Sequence, residues 1–216
     1  MKFFRFDGPY SEFMKKVFDL VLLQLLWVVF SLPLITVGAS TTALFSITMK
    51  MVKNEEPYII KGYVASFREN FRESTVLIAA GAASALWAVL MLWLCLKGGG
   101  SVLRGIGIVY AGILFVFLVT LVYLFPVQAR YNNTAVCQIR NSMRLGLMHL
   151  PFSILLLLIP SAFILLTAFV RPLFPVMIAF WIACGVSVTA YLQSFILNLV
   201  FAKNEREYKE AANEER

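Results

Sequence analysis

The chain has 216 residues, of which 60% are hydrophobic and 14% charged, and its mean hydropathy is +0.80. Soluble domains carry about a quarter charged residues, and a chain this small has too little interior to hide the excess apolar surface. A soluble enzyme, a nucleic-acid-binding domain and a disordered chain are therefore excluded. The net charge is +7, yet no Asp or Glu lies between Ser74 and Asn204. This is the composition of an all-α, polytopic transmembrane helical bundle.

A hydrocarbon core of about 30 Å needs roughly 20 apolar residues in a helix. Going along the chain, the first such stretch begins at Val17 and runs to Leu32, where Pro33 and Gly38 predict a break. A shorter apolar helix, Ala39 to Met51, follows; it reads either as a second crossing or as part of a re-entrant hairpin with the same sidedness. One long span with an outside loop is the alternative. Thr75–Leu96, Gly105–Val127, Leu150–Val170 and Pro175–Phe201 are plain spans. Residues 1–202 thus read as one transmembrane domain of about six crossings, and residues 203–216 as a short charged tail, helical or disordered. Lys15-Lys16, the apolar run and Val37-Gly38-Ala39 imitate a secretory signal. The run is too long for one, so the first helix reads as a permanent anchor.

Lys and Arg favour the cytoplasmic side of short loops. With six crossings and both termini inside, 16 bases are cytoplasmic, and only Lys97, Arg104 and Arg171 lie outside. A five-span arrangement gives at best 12 against 7, with the N-terminus outside. The basic face attracts anionic lipid headgroups at about 1 kcal/mol per base, so it needs no nucleic acid to explain it.

Two segments on that face are amphipathic. Within Ile59–Glu73, the residues Ile60, Val64, Phe67 and Phe71 share one helix face, with Lys61, Arg68, Glu69, Arg72 and Glu73 on the rest. Glu55, Glu56 and Pro57 suit its start. Within Val136–His149, Val136, Ile139, Met143, Gly146 and Leu147 align, with Gln138, Arg140, Asn141 and Arg144 opposite. Such segments either rest among headgroups or dock on a cytoplasmic partner. The docking candidates are Lys61, Phe67, Arg68, Phe71, Arg72, Arg140 and Arg144.

Catalysis has little material. General acid–base work needs titratable groups within hydrogen-bond reach, and the span region holds no carboxylate after Glu73. His149 stands alone, and Cys95, Cys137 and Cys184 are widely separated, so no metal, redox or cofactor site is expected. The costly intramembrane polar groups are Asp19, Gln24, Gln193 and Asn198. Lys15 or Lys16 would neutralise Asp19. The three amides would either hydrogen-bond between helices, at about 0.6–2 kcal/mol each, or line a solute path. Trp27, Trp87, Trp93 and Trp181 read as interface or packing residues. The run Ala79-Ala80-Gly81-Ala82-Ala83-Ser84-Ala85 marks a packing face within the chain or against another copy, leaving room for a homo-oligomer.

The N-terminal third carries a recognisable set of residues: Asp7-Gly8-Pro9, Asp19-Leu20-Val21, Leu25-Leu26-Trp27, and the run from Ser31-Leu32-Pro33 through Val37-Gly38-Ala39-Ser40-Thr41-Thr42. Further matches are Met49-Lys50-Met51-Val52, Ser66-Phe67-Arg68-Glu69-Asn70-Phe71, Phe125-Pro126, Arg130-Tyr131-Asn132-Asn133-Thr134 and His149-Leu150-Pro151. Together these resemble the YesL family of bacterial membrane proteins, whose function is unknown. Gln24 departs from the pattern, standing where many members carry Asn. The resemblance implies a small integral protein of a bacterial plasma membrane, often encoded beside carbohydrate ABC-transporter genes. It therefore implies an accessory role in oligosaccharide uptake, with ABC-transporter subunits as partners; the lack of catalytic groups makes the expected role a non-enzymatic one. An independent carrier or channel for a small neutral or anionic solute is the alternative.

The sidedness is directly testable once the native cysteines are replaced. A cysteine at Asn54 is expected to react with a membrane-impermeant maleimide only from the cytoplasm, and one at Gly99 only from outside. Labelling of the Asn54 position from outside refutes six crossings.

Overall fold

The computed structural model describes residues 9–55, 58–98, 100–131, 134–169 and 174–214. The terminal bases Lys2, Arg5 and Arg216, the expected helix start at Glu56 and Pro57, Gly99, the Asn132-Asn133 pair and Arg171 lie outside them. Among the described residues there is no strand. The elements are α1 (Pro9–Ser31), a single 3-10 turn (Leu34–Thr36), α2 (Val37–Val52), α3 (Ile59–Lys97), α4 (Ser101–Arg130), α5 (Ala135–Met148), α6 (Leu150–Phe169), α7 (Phe174–Phe180) and α8 (Val186–Glu214). A π-turn, Trp181–Gly185, joins α7 to α8.

Among the described residues, five helical stretches are long and apolar enough to cross a membrane: Leu34–Val52, Ile59–Cys95, Gly105–Arg130, Leu150–Thr167 and Phe174–Arg206. The helix α1 has the length, at 23 residues, but Glu12, Lys15, Lys16 and Asp19 shorten its uncharged part. The stretch expected as a second crossing or a re-entrant element forms one uninterrupted helix of 16 residues, about 24 Å long.

The break before α2 arises at Pro33 rather than at Gly38. Proline ends α1, and the Thr36 hydroxyl turns back to donate to the carbonyls of Phe30, at 2.5 Å, and Pro33, at 2.6 Å. It thereby satisfies acceptors that the interrupted helix leaves open. Gly38 lies inside α2, where a side chain would meet Ile78 at 2.7 Å. Its role is close approach to α3, not chain reversal.

The helix α2 is the centre of the molecule. Twelve of its residues are buried, Ala39, Ala43, Leu44 and Ile47 completely. It packs on α1, α3, α4 and α8. Gly38 against Ile78 and Ile47 against Gly62 set α2 antiparallel to the first half of α3. Farther along, Gly81 meets Leu121 and Gly107 meets Cys95, so α3 and α4 also run antiparallel. The core gathers around α2 from Leu23, Tyr63, Tyr123, Val127, Leu156, Leu197 and Phe201.

Beyond this core the apolar surface faces outward. Leu86, Trp87, Leu90 and Trp93 of α3 and Ile106, Val109 and Ile113 of α4 are exposed. The small-residue run 79–85 is largely exposed too, apart from the Gly81 side that approaches α4. Trp93 holds the Lys97 ammonium 4.1 Å from its ring centre, an arrangement suited to an interface belt. By contrast Trp27 packs inward and donates to the Thr41 hydroxyl at 3.2 Å.

Residues 59–73 do not form a separate helix; they are the first half of the 39-residue α3. Their buried stripe is Tyr63, Ser66, Asn70 and Ser74, while Ile60 and Phe71 are exposed. The second amphipathic segment behaves alike. On α5, Gln138, Ser142, Gly146 and His149 face inward, while Val136, Ile139, Met143 and Leu147 face out. Gln138, expected opposite the packed face, is fully buried. The physical reason is shared. Close helix approach selects small and hydrogen-bonding residues for the inner faces, and the larger apolar side chains are left outside. At the charged end, α8 passes residue 203 without interruption.

Gly146 marks a close approach of α5 to α4, where an added Cβ would lie 2.6 Å from Val119 and 3.4 Å from Tyr123. Substitution Gly146→Leu is expected to cost about 1–3 kcal/mol, read as a lowered melting temperature in detergent. The control Gly112→Ala places its Cβ in open space and is expected to leave that temperature unchanged or raised.

Candidate functional site

The interior around α2 is polar where a soluble core would be dry. Thr42, Ser74 and Gln128 meet from three helices: both hydroxyls donate to the Gln128 Oε1, at 3.3 and 3.0 Å. Higher on α2, the Ser40 hydroxyl lies 2.6 Å from the Tyr63 hydroxyl, which donates to the Ser40 carbonyl. The Thr48 and Ser194 hydroxyls pair at 2.8 Å. Each short hydroxyl serves its own helix or a neighbour without holding the backbones apart. The helix α2 is thereby tied to α1, α3, α4 and α8.

The amides singled out in the sequence do not converge on one path. Gln24, buried in α1, donates through Nε2 to the Trp181 carbonyl at 3.2 Å and accepts the Ser187 N–H at 3.0 Å. Trp181 opens the π-turn and Ser187 lies just beyond it in the first turn of α8; the wider ring of a π-turn displaces backbone groups from regular helical pairing. A single carboxamide supplies the acceptor and donor they need. Gly185 makes the turn sterically feasible, since a side chain there would strike the Trp181 ring at 2.5 Å. That indole donates to the Thr167 hydroxyl on α6 at 3.1 Å. Gln193 instead donates to the Leu156 carbonyl of α6, at 3.0 Å, and Asn198 to the Met49 carbonyl of α2, at 3.2 Å. All three amides bridge helices. Asp19, half-buried on α1, lies within electrostatic reach of Lys15; Lys16 turns elsewhere and donates to the Asn54 side chain at 3.4 Å.

The basic residues named from the sequence are largely at the surface. Lys61, Arg68 and Arg72 on α3 and Arg140 and Arg144 on α5 are exposed. Phe71 is also exposed, whereas Phe67 is committed to an aromatic stack, 4.8 Å from Phe30 and 5.6 Å from Phe71. Arg130 is engaged: it binds Glu205 at 2.7 Å and lies 4.9 Å from the Phe201 ring centre. The Tyr131 hydroxyl donates to the same Glu205 oxygen at 3.1 Å. Burial pushes the Tyr131 phenol up.

Several polar residues at the heart of the fold were not singled out by the sequence reading: Thr42, Tyr63, Ser74, Gln128, Ser142, Ser153 and Ser194. Their signal was the spacing of small polar residues along one helix face, as in Tyr63, Ser66, Asn70 and Ser74. On α5 this stripe is incompletely paired. Both amide atoms of Gln138, the Ser142 hydroxyl and the His149 Nε2 are buried without a hydrogen-bond partner. Among the described residues no group of three His, Cys, Asp or Glu is placed to hold a metal ion.

Fold and seam define a class: a helical membrane protein built around a buried, hydroxyl-rich helix. Residues 20–103 match the model of the family described as "Protein of unknown function, DUF624". No curated protein and no solved structure matches the chain. The matched segment contains α2, the whole of α3 and the part of α1 that carries Gln24.

Replacing Gln24 by Leu leaves the Trp181 carbonyl and the Ser187 N–H without their partner. The expected loss is about 1–3 kcal/mol of stability, with faster alkylation of Cys184 inside the π-turn by a membrane-permeant maleimide. An unchanged melting temperature and an unchanged Cys184 rate overturn this role for Gln24.

Proposed function

We propose that the protein is a non-enzymatic subunit of a bacterial plasma membrane that assists or regulates oligosaccharide uptake. In this reading it crosses the membrane six times, both termini are cytoplasmic, and it docks on the subunits of a carbohydrate ABC importer. The observation that carries the docking is the orientation of two helix faces. Ile60, Lys61, Arg68, Phe71 and Arg72 on α3, and Ile139, Arg140, Met143 and Arg144 on α5, all turn outward, while small polar residues occupy the inner faces.

An exposed face that alternates arginine with phenylalanine or methionine offers charge-assisted hydrogen bonds beside apolar anchors, the composition that makes protein interfaces adhere. The resemblance to YesL proteins directs the choice of partner to carbohydrate importers. The engagement of Gln24, Gln193 and Asn198 in three separate helix contacts favours an assisting role over a carrier lined by these amides.

The test is copurification from gently solubilised membranes that also express the importer subunits. The expected outcome is recovery of the complex, reduced at least several-fold by Lys61→Gln/Arg68→Gln/Arg72→Gln. Isolation of the protein alone, with the subunits present in the same membranes, sinks the proposal. So does solute flux in liposomes containing only this protein.

A further inference from the structure

The helix α2 ends in a tight reversal. The N–H groups of Lys53 and Glu55 both donate to the Lys50 carbonyl, at 3.0 and 3.1 Å, and Asn54 takes a left-handed backbone with φ 55°. Lysine is at home there, because a helix C-terminus carries partial negative charge. The reversal sets Lys50 and Lys53 opposite Arg130 at the end of α4 and beside Asn198 of α8. Between them lies an open cleft of about 210 Å³, with Met49 in its wall and Glu55 at its edge. Asn198 is pinned by its bond to the Met49 carbonyl, so the α8 side of the cleft is fixed.

The charges are unequal. Lys50, Lys53 and Arg130 face Glu55 and, next to the cleft, Glu205. Glu205 takes one nitrogen of Arg130, Nη2, and a guanidinium carries five N–H donors. The cleft therefore keeps an excess of donors and of positive charge. On α8, within two turns of Asn198, Leu192, Phe195 and Leu199 are exposed at 39%, 46% and 64%. Their spacing of three and four residues makes them one stripe. It leads from the cleft toward the apolar half of the helix.

A ligand that satisfies both features has a compact anionic head and a hydrocarbon chain. We infer that the cleft binds the phosphodiester headgroup of an anionic glycerophospholipid, with one acyl chain laid along Leu192, Phe195 and Leu199. Basic pockets between membrane helices hold such headgroups by the same chemistry. A soluble phosphate would use the same bases but gain nothing from the apolar stripe. Scattered surface bases such as Lys61 and Arg68 attract anionic lipid without enclosing any one molecule, whereas the cleft retains it.

The experiment is native mass spectrometry of the full chain, purified in mild detergent and supplied with phosphatidylglycerol or phosphatidylcholine. Each variant is compared at equal melting temperature. About one phosphatidylglycerol per chain is expected to stay bound, and phosphatidylcholine is not. Lys50→Gln/Lys53→Gln is expected to lower retention about thirtyfold, and Phe195→Ala/Leu199→Ala several-fold. Lys61→Gln/Arg68→Gln, which removes bases that do not line the cleft, is expected to leave it unchanged. Equal retention by the Lys50→Gln/Lys53→Gln protein, or equal loss in the Lys61→Gln/Arg68→Gln protein, overturns the site. Displacement of the lipid by inorganic phosphate or glycerol phosphate at matching concentration, with Phe195→Ala/Leu199→Ala showing no effect, assigns the cleft to a soluble phosphate and overturns the lipid.

Discussion

The structure depends on one constraint: a helix surrounded by other helices in hydrocarbon must find every hydrogen-bond partner inside the protein. Each unsatisfied group there costs several kcal/mol. The helix α2 meets the constraint with short side chains. Thr48 returns its hydroxyl to the Leu44 carbonyl and also pairs with Ser194, while Thr42 reaches the oxygen that Ser74 shares on Gln128. Such groups are compact enough for α3 to approach Gly38 and for α2 to press Ile47 against Gly62. Longer polar side chains would satisfy the same atoms but would force the helices apart.

Length, apolarity and the Pro33 interruption were legible from residue order, because they depend on the backbone and on the thickness of a bilayer. The helix-bridging work of Gln24, Gln193 and Asn198 was legible as one of two alternatives. Which faces point inward was not. Amphipathic reasoning sends the apolar face inward, whereas close helix approach selects small and hydrogen-bonding residues for the seam. Ile60 and Phe71 therefore stay outside while Tyr63, Ser66 and Asn70 go in. Gly38 is a similar case, since a helix breaker and a close-contact glycine look identical in one dimension. Only Ile78, forty residues away, tells them apart. The cleft at Lys50 was invisible for the same reason: its bases belong to segments that only the fold brings together.

The seam between α4 and α5 follows a different rule from the one around α2. Gln138, Ser142 and His149 bring buried polar atoms without partners, so these atoms add no hydrogen bond to the seam. Steric fit holds it at Gly146, together with Ser153, which donates to the Gly146 and His149 carbonyls at 2.8 and 3.1 Å. Paired hydroxyls make the α2 seam stiff. Unpaired ones make the α5 seam the easier of the two to open, since local stability follows local satisfaction.

The continuity of α3 has a mechanical meaning. Its 39 residues, Ile59–Lys97, form one α-helix without a proline or a change of helical type, a rod of about 58 Å. Its first half is gripped by α2, whereas its second half has mainly α4 beside it. A tilt imposed at the α2 end is therefore handed on to α4, which meets the rod at Gly81 and again at Cys95, with no hinge along the way to absorb it.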